Sequence, residues 1–298
     1  MSDVLVFGGI NLDQVVYLPR PAIEGETLEG ESIETFLGGK GANQAVALSR
    51  LGASVSFVGN VGRDSFGDEL SAVLSEENIN LSMLGSVKEK TGTALINVFE
   101  NADNQIIYIA GANKFTNHKQ VTTDFLEKAK VVVSQMEING EEVEKLFMKS
   151  KSNNCINILN VAPYRKPSKN LIENTDFLIF NELEFSLFIG LEGSMPLGMN
   201  LIKKEVKNQN FRRDTVVIIT LGERGLVYSH NNHFNSINAH KVKAVDTVGS
   251  GDCFVGALSF SLLKGFNLEE SCEFANKAAS ISVTRKGAAA SMPWIEEV

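Results

Sequence analysis

Residues 246–252 place glycines, hydroxyls and carboxylates where a helix is expected to begin. The segment reads Asp-Thr-Val-Gly-Ser-Gly-Asp, follows the strand-like residues 241–245 and precedes an apolar helical stretch, 253–264. Its two glycines allow a ligand to approach the backbone closely, and the first N–H groups of a helix are unpaired donors at the positive end of the helix dipole. The sequence therefore predicts a hole for a developing negative charge, formed by Gly249, Ser250 and Gly251.

Asp252 closes this segment and has two interpretations. In the first turn of a helix the dipole favours the ionised carboxylate, which can accept a proton from an alcohol. A helix cap is the alternative, because Asp is a preferred N-cap residue. The flanking glycines and hydroxyl favour a catalytic base.

A second glycine-rich segment, 38–44, reads Gly-Gly-Lys-Gly-Ala-Asn-Gln and leads into a helix that ends near Gly52. Three glycines suggest close backbone approach to a ligand, and a tight left-handed turn is the alternative. The segment is not a P-loop, because Glu34 stands at the first glycine of that motif and Gly41 at its Ser/Thr position. The chain also lacks G-x-G-x-x-G, which argues against a nicotinamide dehydrogenase.

Two pairs of polar residues follow strand-like runs. Asn11 and Asp13 share one face of an extended chain and suit the adjacent hydroxyls of a sugar, with a turn as the alternative. Asn181 and Glu184 lie one helical turn apart where a helix would begin, and capping by Asn181 is the alternative there. The four histidines are scattered and predict no metal site.

The elements that must position these residues alternate along the chain. Strand-like runs at 55–61, 131–136 and 216–221 alternate with helical stretches such as 65–78 and 141–151, as in a doubly wound, mostly parallel α/β sheet flanked by helices. Two regions break this rhythm: two short strands within 14–35, and a hairpin over 91–109 that turns at residues 101–104. We expect them to form a small β-sheet lid over the carboxyl ends of the main strands, and an extension used for dimer contact is an equal alternative. The predicted division is an α/β domain of residues 1–13, 36–90 and 111–298, with a lid of residues 14–35 and 91–110.

Composition narrows the function classes. The chain has 298 residues, with 28 Lys and Arg against 36 Asp and Glu and a net charge of -8, which has the wrong sign for nucleic acid. An anionic ligand must therefore be bound by local N–H groups, a few cations or a metal. The three cysteines are far apart and indicate reduced thiols, and we expect a cytoplasmic protein with no membrane span.

Six ordered motifs resemble the PfkB carbohydrate kinases, and within that family its ribokinase branch. The two signatures are Gly-Gly-Lys-Gly-Ala-Asn-Gln-Ala-Val-Ala at 38–47 and Asp-Thr-x-Gly-x-Gly-Asp at 246–252. The other four motifs lie at 159–163, 181–184, 219–222 and 283–287, so the resemblance spans nearly the whole chain. It implies a ribokinase-like fold.

The resemblance implies transfer of the ATP γ-phosphoryl group to the 5-hydroxyl of D-ribose, with Asp252 as base and the 249–252 amides as anion hole. The positions that match sugar-binding residues of the family are Asn11, Asp13, Gly39, Lys40, Gly41, Asn43 and Glu137. The positions that match its nucleotide side are Thr220, Gly222, Gly225, Gly251 and Asn276, with Asn181 and Glu184 organising Mg²⁺ and phosphate through water. A potassium ion is expected beside the anion hole, at Asp246, Val248, Ser282, Arg285, Gly287 and Ser291.

Other functions remain open at this point. The same signatures serve kinases for fructose, deoxyribose, 2-keto-3-deoxygluconate and nucleosides. A sugar-binding sensor without catalysis would need none of the phosphoryl-transfer residues, all of which are retained. The resemblance also implies a homodimer joined through the lids.

Overall fold

The computed structural model describes residues 2–100, 104–191, 195–231 and 233–298, and these residues form 13 strands and nine α-helices. The strands are β1 Val4–Phe7, β2 Asn11–Leu18, β3 Ser32–Gly38, β4 Val55–Gly62, β5 Asn80–Val87, β6 Gly92–Phe99, β7 Asn104–Ile109, β8 Val131–Gln135, β9 Ile156–Asn160, β10 Phe177–Asn181, β11 Val216–Thr220, β12 Leu226–His230 and β13 His233–Ile237. The helices are α1 Lys40–Arg50, α2 Ser65–Glu76, α3 Thr123–Leu126, α4 Gly140–Lys151, α5 Lys169–Glu173, α6 Glu182–Phe188, α7 Met199–Asn208, α8 Ser250–Leu263 and α9 Leu268–Ser282.

The main sheet has the strand order β13-β12-β11-β10-β9-β8-β1-β4-β5. Pairing is parallel from β11 to β5 and antiparallel at β11–β12 and β12–β13. Strands β1, β4 and β8 are buried along their whole length, as expected for parallel strands covered on both faces. This confirms the predicted doubly wound sheet.

Helices cover both faces of the main sheet. Leu48 of α1, Leu70 of α2, Val255 of α8 and Ala275 of α9 belong to the core on one face. The core on the other face contains buried residues of the remaining helices, namely Leu126, Phe147, Leu171, Phe185 and Ile202. Burial of these apolar stripes holds the helices against the sheet.

A separate four-stranded sheet, formed within the described residues, has the order β3-β2-β6-β7. The predicted hairpin is confirmed by the antiparallel pairing of β6 with β7, from Thr93 opposite Ile109 onward, while residues 101–103 of its predicted turn lie outside the described residues. We call this sheet the lid. Strand β2 begins at Asn11 and β3 ends at Gly38, so the two polar segments named above lie at its base.

Two local expectations were wrong. Residues 241–245 form no strand: they are exposed, and Val245 N and Asp246 N both donate to the carbonyl of Val283. The β12–β13 hairpin, which the sequence pattern did not predict, forms that edge of the sheet instead. Helix α8 begins at Ser250, three positions before the predicted start at 253, because Gly249 adopts a left-handed conformation and serves as its N-cap.

Candidate active site

Asp252 lies in the first turn of α8 and is 4% exposed. Its carboxylate accepts one hydrogen bond at each oxygen, from Asn43 Nδ2 to Oδ2 at 2.9 Å and from Gln44 Nε2 to Oδ1 at 3.0 Å. In the described part of the chain no side chain caps α8, so the alternative interpretation of Asp252 as a cap is wrong. Both donors are neutral amides of α1, which orient the carboxylate without adding a positive charge.

The start of α1 meets this carboxylate because the preceding turn is made by glycine. Gly39 is the N-cap at φ 88°, and a Cβ on it would lie 2.7 Å from Ile10 Cα. Gly41 packs equally tightly on the backbone of Gly9, and Ala42 N donates to the Gly9 carbonyl at 3.1 Å. The segment is therefore a turn at positive φ whose glycines pack against the backbone of Gly9 and Ile10, while its close approach to a ligand stays a prediction.

Lys40 is the cation at the centre of the site. Its pKa is raised first by the charge of Asp252 and further by Glu137, Glu184 and Asp13, against the opposing effect of burial. The Lys40 backbone N–H also donates to Glu137 Oε2 at 2.8 Å. The charges of four carboxylates from four separate segments thus act on one ammonium group.

Burial and the charge of neighbouring carboxylates raise the pKa of two of these groups, Asp13 and Glu137. The pKa of Asp13 rises to about 7, through burial and then the charge of Asp252, with Lys40 acting in the opposite direction. Burial likewise raises the pKa of Glu137 to about 7, again opposed by Lys40. Such perturbed groups cluster at functional sites.

Asn11 and Asp13 extend from β2 into the same region. Asn11 Oδ1 accepts from Asn113 Nδ2 at 2.8 Å, and Asn113 also bonds both backbone groups of Ile10. A Cβ on Gly38 would lie 2.1 Å from the Asp13 carboxylate, so glycine is needed there to leave room for it. The turn alternative for Asn11 and Asp13 is wrong, because both are strand residues.

Three buried acceptors at this site lack a donor. Asp13 Oδ1, Asn43 Oδ1 and Gln135 Oε1 have no hydrogen-bond partner in the part of the chain that the structure describes. An unpaired buried acceptor is costly, and a ligand with several hydroxyl donors would satisfy such acceptors. The geometry therefore suits a polyol such as a sugar.

Gly251 lies in the open first turn of α8 beside Asp252. A Cβ on Gly251 would have no atom within 4 Å, whereas one on Gly249 would lie 2.7 Å from Ala288 Cα. The Ser250 hydroxyl donates to the Thr247 carbonyl at 2.9 Å, which engages it within the turn. This helix start is thus accessible to an anion.

The 246–248 turn is hydrogen-bonded to the segment after α9. The Asp246 carboxylate accepts from Val248 N at 3.0 Å and from Gly287 N at 2.9 Å, which brings the two segments together. Arg285 directs its guanidinium to Glu297, and the hydroxyls of Ser282 and Ser291 donate to backbone carbonyls of their own turns. Oxygen atoms of turns and one carboxylate are donors suited to K⁺.

The residues matched to the nucleotide side lie at the ends of β10 and β11, in the turns that follow them, and in α9. Asn181 pairs with Thr220 in the sheet, and Asn181 and Glu184 form a capping box in which each side chain accepts from the other's N–H at 2.7 Å. Burial raises the pKa of Glu184. Gly222 and Gly225 adopt positive φ in the next loop, a Cβ on Gly225 would lie 2.0 Å from the Ile237 carbonyl, and Asn276 Nδ2 donates to Asn238 O at 2.8 Å.

The capping interpretation of Asn181 is therefore confirmed as a contact. This contact uses Glu184 Oε2. Among the described residues no three His, Cys, Asp or Glu side chains form a metal-binding group.

Sequence reasoning missed four polar residues of this site. Gln44, Gln135, Asn160 and Asn113 are all buried and hydrogen-bonded to the residues above. Gln44 follows Asn43 in the glycine-rich segment, and Asn160 lies in the 159–163 motif, so the signal was their position at the carboxyl ends of predicted strands and the start of a predicted helix.

Comparison with known proteins decides the family. Residues 1–295 match the model of the pfkB family carbohydrate kinases. The chain belongs to the PfkB family. Such a kinase transfers a phosphoryl group to a sugar alcohol, so this chain is a phosphotransferase with an alcohol acceptor.

Individual relatives of this PfkB kinase are similar over their full length. A ribokinase of Schizosaccharomyces pombe is 36% identical, with 100% of this chain and 97% of the relative covered. The crystal structure of a ribokinase from Thermotoga maritima has a TM-score of 0.89 at 31% identity, covering 100% of this chain and 98% of that one. A ribokinase of Arabidopsis thaliana complexed with ribose and ATP has a TM-score of 0.90 at 28% identity, covering 99% and 97%. These neighbours confirm the ribokinase-like fold.

Among the described helices of this PfkB kinase, none has the length and apolar character that crossing a membrane would require.

Proposed function

We propose that this protein phosphorylates the 5-hydroxyl of D-ribose with ATP, giving ribose 5-phosphate and ADP. One observation carries the proposal: the buried carboxylate of Asp252 is oriented by two amides beside an open helix start. The same site contains buried oxygen atoms that lack a hydrogen-bond donor and could accept from sugar hydroxyls. The ribokinase relatives and the complex of one of them with ribose and ATP support this choice of substrates.

The chemistry assigned to Asp252 is proton acceptance. The sugar hydroxyl loses its proton to the carboxylate while its oxygen forms a bond to the γ-phosphorus and the bond to the β,γ-bridging oxygen breaks, releasing ADP. Phosphoryl transfer depends mainly on positioning and neutralisation of charge. The backbone N–H groups of residues 249–252, together with Lys40, would supply these to the transferred group; that of Ser250 also donates to the Thr247 carbonyl at 3.3 Å.

The sugar is held between the two sheets. Asp13 and Asn43 offer acceptors that lack donors, Asn11 begins β2 of the lid, and Glu137 follows β8 of the main sheet. Gly39 and Gly41 let the backbone at the start of α1 approach the sugar. Adjacent ring hydroxyls are the donors that match Asp13.

The nucleotide is assigned to the loops after β11 and β13. Thr220, Gly222 and Gly225 line the phosphate and ribose side, and Asn276 lies on the adenine side. Mg²⁺ would be held by Glu184 and Asn181 through water, and would neutralise the phosphate oxygens when bound. K⁺ would be held by oxygens of Asp246, Val248, Ser282, Arg285, Gly287 and Ser291 and would order the 246–252 turn.

We further propose a cytoplasmic homodimer joined through the lids. The cysteines are free and buried, as suits a reducing compartment. Ile33, Ile107 and Ile109 lie on one face of the lid by strand register and are 61%, 49% and 51% exposed. A second copy of the lid is the occupant that would bury them.

The direct test is ADP formation from ATP and Mg²⁺ across a panel of ribose, deoxyribose, fructose, 2-keto-3-deoxygluconate and nucleosides, with K⁺ and with a large organic cation in its place. We expect ribose to give the highest kcat/KM, K⁺ to raise the rate, and a chelator of Mg²⁺ to abolish it. If another sugar is turned over and ribose is not, the assignment of ribose as the substrate is wrong. If no sugar gives ADP, the assignment as a kinase is wrong and a sugar-binding sensor is favoured.

A further inference from the structure

Gln44 forms the centre of a buried amide network behind Asp252. It is fully buried in the first turns of α1. Its Nε2 donates to Asp252 Oδ1 at 3.0 Å and to Asn160 Oδ1 at 3.2 Å, and its Oε1 accepts from Gln135 Nε2 at 2.6 Å. All of its side-chain polar atoms are therefore engaged.

The Asp252 carboxylate fixes which end of the Gln44 carboxamide faces it. Because an ionised carboxylate only accepts hydrogen bonds, it must meet the Gln44 nitrogen, and the Gln44 oxygen is left to accept from Gln135 Nε2. A rotated Gln44 amide would bring its oxygen against the Asp252 oxygen and its NH₂ against the NH₂ of Gln135. The network is thus consistent in one orientation only.

The network also joins Asp252 to the rigid part of the fold. Gln135 and Asn160 are register partners at the carboxyl ends of the adjacent parallel strands β8 and β9. Gln44 therefore spans from two central strands to the first turn of α8. Side chains held by strands are more accurately placed than side chains held by loops.

The Gln44 amide satisfies buried polar groups and also contacts the carboxylate. Its hydrogen bonds with Gln135 and Asn160 pair buried polar atoms that an apolar side chain of similar size would leave unpaired. Its hydrogen bond to Asp252 adds one neutral donor aimed at one oxygen of that carboxylate.

We propose that Gln44 is a positioning residue that holds the Asp252 carboxylate in the orientation needed to accept the sugar proton, without supplying charge. The inference rests on the proposed role of Asp252 as base. Gln135 then acts one step further away, by holding the Gln44 amide in its productive orientation.

Gln44→Met and Gln44→Glu test the proposal. The first keeps the side-chain length and removes the donor, so we expect kcat to fall about 10- to 100-fold at every pH, with both KM values within about threefold, as for loss of a hydrogen bond to a charged group. The second places a carboxylate against Asp252 while Gln135 can still donate to it. The like charges retain a proton between them, so kcat is low at pH 7 and recovers toward pH 9.

The other charged groups that face Asp252 are Lys40, Asp13, Glu137 and Glu184, and they are the same in all of these proteins. Gln135→Met, which frees the Gln44 amide to rotate, should lose about three- to tenfold in kcat, again without change in KM. It also keeps the proposal testable if a Gln44 variant fails to fold.

Asn157→Ala is the matched control. Asn157 is a fully buried amide on the same strand as Asn160, but it bonds Ser150 and the backbone away from the site. We expect it to lower Tm and leave kcat unchanged. The proposal is overturned if Gln44→Met retains kcat within twofold, if Gln44→Glu shows the wild-type pH profile, or if Asn157→Ala loses as much kcat as the Gln44 variants. An inactive wild-type protein would instead overturn the proposed function.

Discussion

At the scale of single residues, the site holds more negative charge than it neutralises. Asp13, Glu137, Glu184 and Asp252 surround Lys40, and two of these carboxyls have a pKa near 7 because they are buried. Hydrogen bonds from sugar hydroxyls would offset part of the destabilisation caused by these buried carboxylates. We therefore expect these residues to lower the stability of the free protein while they serve its function.

Asp13→Asn should stabilise the free protein and weaken sugar binding. The folded pKa of Asp13 is raised from 3.8 to about 7, so its ionisation destabilises the fold increasingly as pH rises from about 4 to about 7, and the loss is constant above that. We expect the variant to have a higher Tm than the wild type at pH 8 and a smaller advantage at pH 5. The sugar KM should rise about 10- to 100-fold, since hydrogen bonds to a charged acceptor are lost.

Thermal melts at the two pH values and steady-state kinetics check this prediction. Glu29→Gln removes the same charge from an exposed position and serves as the control. A variant that melts below the wild type at pH 8 would show that ionised Asp13 stabilises the free protein.

The sequence predicted most of the site residues by type, but not all. Asp252, Asn43 and Lys40 lie in glycine-rich segments at helix starts, where chemistry leaves a visible pattern. Gln44 lies in one of these segments as well, but its role was not predicted because it depends on partners 91 and 208 positions away in the chain. A polar residue in a predicted helix is otherwise read as a solvated one.

At the scale of elements, the site depends on where helices begin. Gly39 and Gly249 each precede a helix at positive φ, and the two helix starts meet through Asn43, Gln44 and Asp252. The sequence predicted both helices, yet it placed the start of α8 too late. Val242 and Val245 were mistaken for strand residues because apolar and charged residues alternate there, although none of them is buried.

Gly251→Ala should impair catalysis without harming the fold. A Cβ there meets no atom within 4 Å, and alanine favours a helix, so Tm should be equal to or above that of the wild type. The added methyl group would occupy the space in front of the helix start. We expect kcat/KM for ATP to fall about tenfold or more, because losing one anion-hole contact lowers the rate by at least about that factor.

Gly265→Ala, at the other end of α8, provides the converse control. It adopts φ 81° with open space around it, so alanine there should cost about 1 kcal/mol in stability through strain and leave kcat/KM unchanged. If Gly251→Ala had the same kcat/KM as the wild type, the conclusion would be that the anion does not bind at this helix start.

At the scale of the whole molecule, two sheets meet at the site. Alternating runs of β-branched and helical residues were enough to predict the doubly wound sheet and a separate lid. The antiparallel β12–β13 edge was not predictable, because its strands pair with each other and with β11 through turns that local residue patterns do not distinguish.

Ile107→Glu should separate the proposed dimer into monomers. A buried glutamate at a symmetric contact is repeated across the two-fold axis, so each interface carries two unpaired charges. We expect light scattering after size exclusion to give a dimer for the wild type and a monomer for the variant, with unchanged Tm for the isolated chain. Ile23→Glu, at an exposed position outside the lid strands, should remain dimeric. A wild-type monomer would refute the assembly.

The central measurement is kcat and sugar affinity of Asp252→Asn. Asparagine keeps the size of the side chain, and its single oxygen can still accept from one of the two amides, Asn43 or Gln44, so one hydrogen bond is lost while the fold and the sugar site should persist. A positioned base contributes about 10²–10⁴ to rate, so we predict that ribose binding by calorimetry stays close to that of the wild type while ribose-dependent ADP formation falls by about that factor. A kcat near the wild-type value, with intact binding, would contradict the account.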